Sequence, residues 1–216
     1  MQASVLGYFV HEKVERFEAR PDKAVATPAF FGSFKVLKNH DLSVRAFYKR
    51  MFRMPTFNDL YYTDMGNAFL KPEYAEQFNV GLKYTRNFEK SPFMRMLDVS
   101  VDAYYNKITD KIIAYPKGQQ FRWTMLNLGE VEIKGVDAVL NALFTLGKLE
   151  VTTKFQYTYQ KAIDITDPAD TYYRDQIPYI PWHSGSAILA LFYKGWGLNY
   201  SFIYTGQRYN LSLIHI

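Results

Sequence analysis

Lys148–Gln160 reads KLEVTTKFQYTYQ and alternates without a break. Leu149, Val151, Thr153, Phe155, Tyr157 and Tyr159 fall on one side, against Lys148, Glu150, Thr152, Lys154, Gln156, Thr158 and Gln160 on the other. A period of two marks an extended strand, because successive side chains point to opposite faces of the pleat. Soluble strands average about 5–6 residues, whereas a tilted strand that crosses a bilayer needs roughly 9–11. This run is long enough for the second. Tyr157 and Tyr159, near the far end of the apolar side, suit an aromatic girdle in which the ring meets hydrocarbon and the hydroxyl meets headgroups. The stretch predicts one staff of a transmembrane β-barrel.

Composition points the same way. Aromatic residues make up 18% of the 216 residues, with 18 Tyr and 17 Phe, yet the mean hydropathy is only -0.24. Greasy and polar residues are therefore interleaved. No run approaches the roughly 18 consecutive apolar residues of a membrane helix, so any spanning element is a strand. The chain has no cysteine, which excludes a disulfide scaffold and a thiolate metal site. Its net charge of +5 is dispersed among acidic residues rather than gathered in a basic block, so nucleic acid is not expected as a partner. Met1–Val10 lacks a basic segment followed by an apolar one. A barrel therefore expects its true N-terminus to lie upstream.

The same alternation recurs along the chain. Ala3–His11, Ala29–Leu37, Leu42–Phe52, Ala75–Arg86, Phe93–Lys107, Leu126–Phe144, His183–Tyr193 and the run after Gly197 read as further strands. Leu126–Phe144 loses its phase at Gly135, which predicts a bulge or bend there. Glu12–Lys23 is dense in both charges and fits a short exposed helix or a solvated loop. The connectors alternate: long at 12–28, 53–74, 109–125 and 162–182, short at 38–41, 87–92, 145–147 and 194–197. Such a meander has its tight turns at one rim and its large loops at the other, as an outer-membrane barrel does. A Greek-key sandwich mixes its connection lengths instead.

Several segments then resemble one family. Arg45–Tyr62 (RAFYKRMFRMPTFNDLYY) is similar to a strand and loop of TonB-dependent outer-membrane receptors, in which Arg-x-Pro followed by Asp-Leu opens an extracellular loop. Asn67–Gly81 (NAFLKPEYAEQFNVG) resembles the family's Asn-x-x-Leu-x-Pro-Glu segment, and Tyr104–Ile113 and Asn127–Asp137 resemble the two arms that follow. Ile177–His183 (IPYIPWH) and Tyr204–Tyr209 (YTGQRY) look like its last recognisable segments. The resemblance implies an all-β, antiparallel up-and-down transmembrane barrel of about 22 strands, of which residues 1–210 would supply eight or nine. It also implies the outer membrane of a Gram-negative cell, outer-membrane lipid around the barrel and a separate N-terminal plug. The expected activity is import of a scarce bulky solute, such as an iron–siderophore, haem, cobalamin or an oligosaccharide, energised by the TonB complex through that plug. The family tends to end on an aromatic residue, whereas this chain ends LSLIHI, so 211–216 is read as a non-native tail.

No enzyme signature appears: there is no Gly-rich phosphate loop, nucleophile elbow or His-Glu-x-x-His helix. The four histidines lie on separate elements, so neither a metal nor a cofactor is expected. Glu130, Glu132 and Asp137 offer an acid–base group, but alternation instead puts Glu130, Glu132 and Lys134 on one lumenal face as polar lining, and Arg53, Glu73 and Glu76 read as rim ion pairs. The candidate ligand-binding residues are Tyr61, Tyr62, Trp123, Tyr172, Tyr173 and Arg174, aromatics and a cation in the long connectors, suited to a sugar, chelate or macrocycle. Two alternatives remain at this point: a soluble all-β carbohydrate-binding module, and a small passive porin-like barrel.

Overall fold

Alternation becomes pairing in the computed structural model, which describes residues 1–11, 13, 23–37, 41–63, 65–117, 122–171 and 173–209. The strands are β1 (Gln2–Val10), β2 (Lys23–Lys35), β3 (Asp41–Arg53), β4 (Glu73–Asn87), β5 (Met94–Lys117), β6 (Arg122–Leu146), β7 (Leu149–Asp164), β8 (His183–Tyr193) and β9 (Trp196–Thr205). They lie side by side in chain order, each antiparallel to the next. One short helix, α1 (Phe57–Tyr61), interrupts the connector between β3 and β4. Tight turns close the hairpins at one rim. Lys194 and Gly195 have φ of 47° and 87°, the two positive angles of a type I′ turn whose twist matches the strands it joins. The expectations for Lys38–His40, for most of Glu12–Lys23 and for the tail 211–216 lie outside the described residues.

Four expectations need correction. β2 begins at Lys23 rather than Ala29, so residues 23–28 belong to a strand paired with β1 and not to the connector 12–28. Thr109–Met125 is not a long connector: β5 continues to Lys117 and β6 begins at Arg122, so these strands form a long hairpin with their connection confined to 118–121. Gly135 carries no bulge. The β5–β6 and β6–β7 registers run through it unbroken, and the β5–β6 irregularity sits between Met94 and Met96. Finally, Glu130, Glu132 and Lys134 share a flank with Leu140, Phe155 and Tyr157, not with the polar residues of the wall.

That last correction explains the third. Residues directly opposite in paired strands point to the same side, so the register assigns every side chain to one of two flanks. The inner flank carries Arg45, Gly81, Asp102, Asp137 and Thr158 in a row across β3–β7. The outer flank carries Val44, Leu82, Val101, Ala138 and Tyr157. Near the tight turns and through mid-sheet the outer flank is apolar and exposed, Leu82 by 52%. Beyond Tyr105 and Gly135 the pattern inverts. There the inner flank buries Ala75, Ile108, Val131, Ile133 and Ala162 in one cluster with Ile177, with Val131 0% exposed. The outer flank now carries Lys107 and Glu130, paired at 2.7 Å, and Lys134 and Glu132, paired at 2.8 Å. The sequence changes phase at Gly135 because the apolar side changes, while the backbone keeps its register.

An aromatic row marks the level of this inversion. Phe30, Tyr48, Phe78 and Tyr105 stand on successive strands of the outer flank, with centroids 6.4, 4.8 and 6.2 Å apart. Such ring pairs each add about 0.5–1.5 kcal/mol beyond their buried area. Near the tight turns a second set gathers Phe93 on Phe144 at 5.1 Å and Lys194 over Tyr193 at 5.3 Å. The band between the two sets is the exposed apolar one.

Candidate functional site

The long connectors fold onto the inner flank, and the residues of the recognised motifs are what hold them there. In 54–72, Thr56 caps α1: its hydroxyl accepts from the Asp59 amide at 3.2 Å, while its own amide donates to the Asp59 carboxylate at 2.8 Å. Arg53 reaches Asp59 at 3.3 Å and Glu73 at 3.5 Å. Glu73 in turn accepts the Ile112 amide of β5 at 3.1 Å. Burial works against ionisation of Asp59, but the amide and hydroxyl of Thr56 and the charge of Arg53 outweigh it and hold the carboxyl below its ordinary value.

The other anchor is Asn127 on β6. Its side-chain oxygen accepts the Lys71 amide at 2.8 Å, and its side-chain NH2 donates to the Lys71 carbonyl at 3.0 Å and the Asp110 carbonyl at 2.7 Å. Asn67 adds a bond to the Met125 carbonyl at 2.9 Å. Leu60 and Leu70 then bury against Ile112, with Tyr61 and Met125 at the margin. Asp110 has a φ of 54°, a left-handed residue within β5.

The connector 165–182 is held in the same manner. Ile165 donates to the Glu130 carbonyl at 2.9 Å, and the Thr166 hydroxyl accepts the Glu130 amide at 3.0 Å. Gly129 makes that approach possible, since a Cβ there would overlap the Thr166 side chain. Farther along, Ile177 donates to the Ala162 carbonyl at 2.8 Å and Gln160 donates to the Trp182 carbonyl at 2.9 Å, so the segment lines the stretch of β7 that β8 leaves unpaired. Arg53, Glu73, Asn127 and Gly129 are therefore fasteners between loops and wall. The signal for Asn127 and Gly129 lay in the Asn-Leu-Gly-Glu run, which periodicity alone reads only as strand.

The candidate ligand residues do not all lie in connectors: Tyr61 and Tyr62 belong to the first, Tyr173 and Arg174 to the second, and Trp123 is part of strand β6. Tyr61 sits on α1, partly buried, its ring 5.0 Å from that of Phe57. Tyr62 follows the helix and is exposed. Trp123, two residues before Met125 on β6, is 37% exposed and pairs with Pro116 near the far end of the long hairpin. Tyr61 and Met125 flank the same buried cluster. Tyr173 and Arg174 are on the other connector, with the guanidinium 6.0 Å from the Tyr173 ring. Tyr172 lies outside the described residues.

Below the loops, the inner flank is charged. Arg45 on β3 and Asp102 on β5 meet across Gly81 of β4, with the Arg45 Nε 3.0 Å from a carboxylate oxygen and a second, shorter contact through its Nη2. A side chain at Gly81 would occupy the same space. Asp98 gathers the Thr85 hydroxyl at 2.8 Å, the Asn141 amide at 3.2 Å and the Lys83 ammonium at 3.2 Å. A wall that is polar inside, greasy outside and roofed by fastened loops can surround a wet passage.

Known proteins resemble this chain over much of its length. A vitamin B12 transporter BtuB of Vibrio vulnificus is 34% identical over 99 residues, which cover 46% of this chain and 14% of the transporter. A vitamin B12 transporter BtuB of Photobacterium profundum is 30% identical over 166 residues, 74% of this chain and 24% of its own length. The chain thus spans no more than about a quarter of the relatives it matches. The family profile "TonB dependent receptor-like, beta-barrel" matches residues 9–213. With nine up-and-down strands in the expected order, the chain belongs to the TonB-dependent receptor β-barrel family.

Proposed function

We propose that this chain is part of the wall of an outer-membrane importer that takes up a bulky solute at the expense of energy delivered by the TonB complex through a plug. The inversion of polarity along β5 and β6 supports this reading best. An exposed apolar flank of Phe78, Val80, Leu82 and Val101 suits hydrocarbon; a charged outer flank with a buried inner one, just beyond, suits strands that rise out of the bilayer into water. Cobalamin is the first solute to test, because the similar proteins from Vibrio and Photobacterium are vitamin B12 transporters. Tyr61, Tyr62, Trp123, Tyr172, Tyr173 and Arg174 would present rings and one cation to it, and Tyr62 on the first connector and Trp123 on β6 are exposed.

The test is uptake of labelled cyanocobalamin, ferric siderophore and haem by cells carrying the complete receptor, with and without TonB. Saturable uptake of one solute that disappears without TonB is the expected result. Uptake that is indifferent to TonB would make the barrel a passive pore. A siderophore or haem in place of cobalamin would keep the importer and change its cargo.

A further inference from the structure

Along the inner flank of β3, cations recur every fourth residue: Arg45, Lys49 and Arg53. The outer two are matched. Arg45 meets Asp102, and Arg53 meets Asp59 and Glu73. Lys83, the inner-flank cation of β4, meets Asp98 at 3.2 Å. Among the described residues Lys49 has no carboxylate partner. Its neighbours across the sheet are uncharged: the register sets Gln77 opposite it and Asn106 opposite Gln77. Adjacent strands lie about 4.8 Å apart, so the three side chains rise from a row about 10 Å wide.

This row lies where the cover of the inner flank ends. On β6 and β7 it continues into Ile133 and Ala162, buried with Ile177, and the next row toward the loops buries Ala75 and Ile108 in the same cluster. Lys49, Gln77 and Asn106 stay partly exposed. One step toward the tight turns, Asn79 stands between Phe47 and Tyr104. Its side-chain oxygen is enclosed without a donor, so that carboxamide gains by turning toward a ligand that supplies one. A solute that has passed the fastened loops meets this patch next: one ammonium, three carboxamides and a phenol on the wall of the passage.

We propose that Lys49, Gln77 and Asn106 form a way-station that holds the solute by a phosphodiester during its passage. The proposal rests on the import reading and narrows its cargo. One unmatched ammonium suits a group of one negative charge, and the two carboxamides donate to its remaining oxygens. Cobalamin carries one phosphodiester and a rim of amides, which supply the donor that Asn79 lacks. Haem brings two carboxylates, and a ferric tris-catecholate three negative charges, more than a single cation matches.

The experiment is TonB-dependent uptake of labelled cyanocobalamin, and of dicyanocobinamide, which lacks the phosphodiester, by cells carrying the complete receptor, with rates taken per inserted receptor. Lys49→Gln is expected to lower the maximal rate for cyanocobalamin about fivefold, the worth of one screened charge contact. The half-saturating concentration, set by the loops at the mouth, should move little. Lys49→Arg should keep most of the rate, and dicyanocobinamide should not distinguish the three proteins. Equal cyanocobalamin rates in wild type and Lys49→Gln would overturn the site, as would an equal loss for both corrinoids. So would entry of vancomycin through Lys49→Gln without TonB, which would assign Lys49 to the plug. Where dicyanocobinamide is not imported at all, the contrast between Lys49→Arg and Lys49→Gln decides alone. A wild type that takes haem or a siderophore and no corrinoid overturns the phosphodiester and leaves the importer. Failure of the import reading looks different: wild-type uptake would itself be indifferent to TonB.

Discussion

Toward the tight turns, β5 and β6 direct Val99, Val101, Val136, Ala138 and Leu140 outward and Asp98, Asp102, Asp137 and Asn141 inward. Toward their far ends the same two strands direct Ile108, Val131 and Ile133 inward and Lys107, Glu130, Glu132 and Lys134 outward. Register and hand of alternation are the same in both halves. The medium on each side is what differs. Through mid-sheet the outside must be compatible with hydrocarbon and the inside with water. Beyond the aromatic row the outside meets water, and the inside is covered by 54–72 and 165–182. A strand has no fixed greasy side; each stretch of it answers to whatever lies opposite.

The sharpest way to break this comparison is to place one charge on the outer flank at two heights. Leu82→Arg or Val101→Arg should cost about 2–4 kcal/mol where the band is deepest. Thr109→Arg, also outward but beyond Tyr105, should stay within about 0.5 kcal/mol. Phe155→Arg against Gln156→Arg repeats the contrast across the two flanks of β7. Reversible refolding of the complete receptor into vesicles, followed by tryptophan fluorescence, measures both. Equal penalties at Val101 and Thr109 would remove the lipid from the explanation.

How much of this could be read beforehand follows from the same contrast. Lys148–Gln160 was legible because its stretch faces one pair of media for nearly its whole length, and Phe155 and Tyr157 do share the flank of Leu140 and Ala138. Leu126–Phe144 was legible as a strand but not in its facing. Its apolar residues change parity at Gly135, and a reader of periodicity takes a change of parity for a change of backbone. Thr109–Lys117 hides its strand for a different reason: Pro116 argues against one, yet beyond Thr109 β5 pairs only with β6 and is an edge, where a proline is tolerated. The candidate ligand residues were legible only as a class, aromatics between the expected strands, and Trp123 in fact belongs to β6. That Tyr61 belongs to the Leu60–Leu70–Ile112 cluster depends on α1, whose Thr56–Asp59 capping pair was visible in the sequence but was not read as a helix start.

The glycines at the boundary sharpen the comparison next. A Cβ on Gly135 would stand 2.6 Å from the Tyr159 carbonyl and overlap the Tyr104 phenol, which crosses the strand there on the inner flank. Its backbone is ordinary, so the demand is for space rather than for an unusual φ. Gly135→Ala is expected to cost about 1–3 kcal/mol as overpacking, and its cost in a Tyr104→Ala background should be smaller but not zero, since the clash with the Tyr159 carbonyl remains. Thermal unfolding in detergent, compared as a double-mutant cycle, checks the coupling. Additive losses would mean that the phenol is not what the glycine accommodates.

More local effects belong to the fasteners. Asn127→Ala removes three hydrogen bonds that tie Lys71 to β6 and β5, at about 1–3 kcal/mol for the polar groups left without partners. The loss should be local: faster protease nicking within 54–72, with the vesicle refolding midpoint little changed. A large shift of that midpoint would show that loop docking and wall formation are one cooperative event, contrary to the separation of the two halves.

The smallest expected effect is a pH dependence confined to the upper half. The Asp59 carboxyl is held below its ordinary value by Thr56 and Arg53, so its ionised form stabilises the docked connector. A depressed carboxyl contributes fully above its unfolded value and loses that contribution as the pH falls through the folded one. Protection of 54–72 against hydrogen exchange, taken relative to the intrinsic rate at each pH, should therefore fall in acid, below the usual aspartate range, while that of the mid-sheet strands does not. Asp59→Asn should give the faster exchange at neutral pH and abolish its acid dependence, because the amide retains a hydrogen-bonding shape but offers Arg53 no charge. If the acid response persists in Asp59→Asn, another group governs the connector, and Glu73, the second carboxylate on Arg53, is the one to replace next.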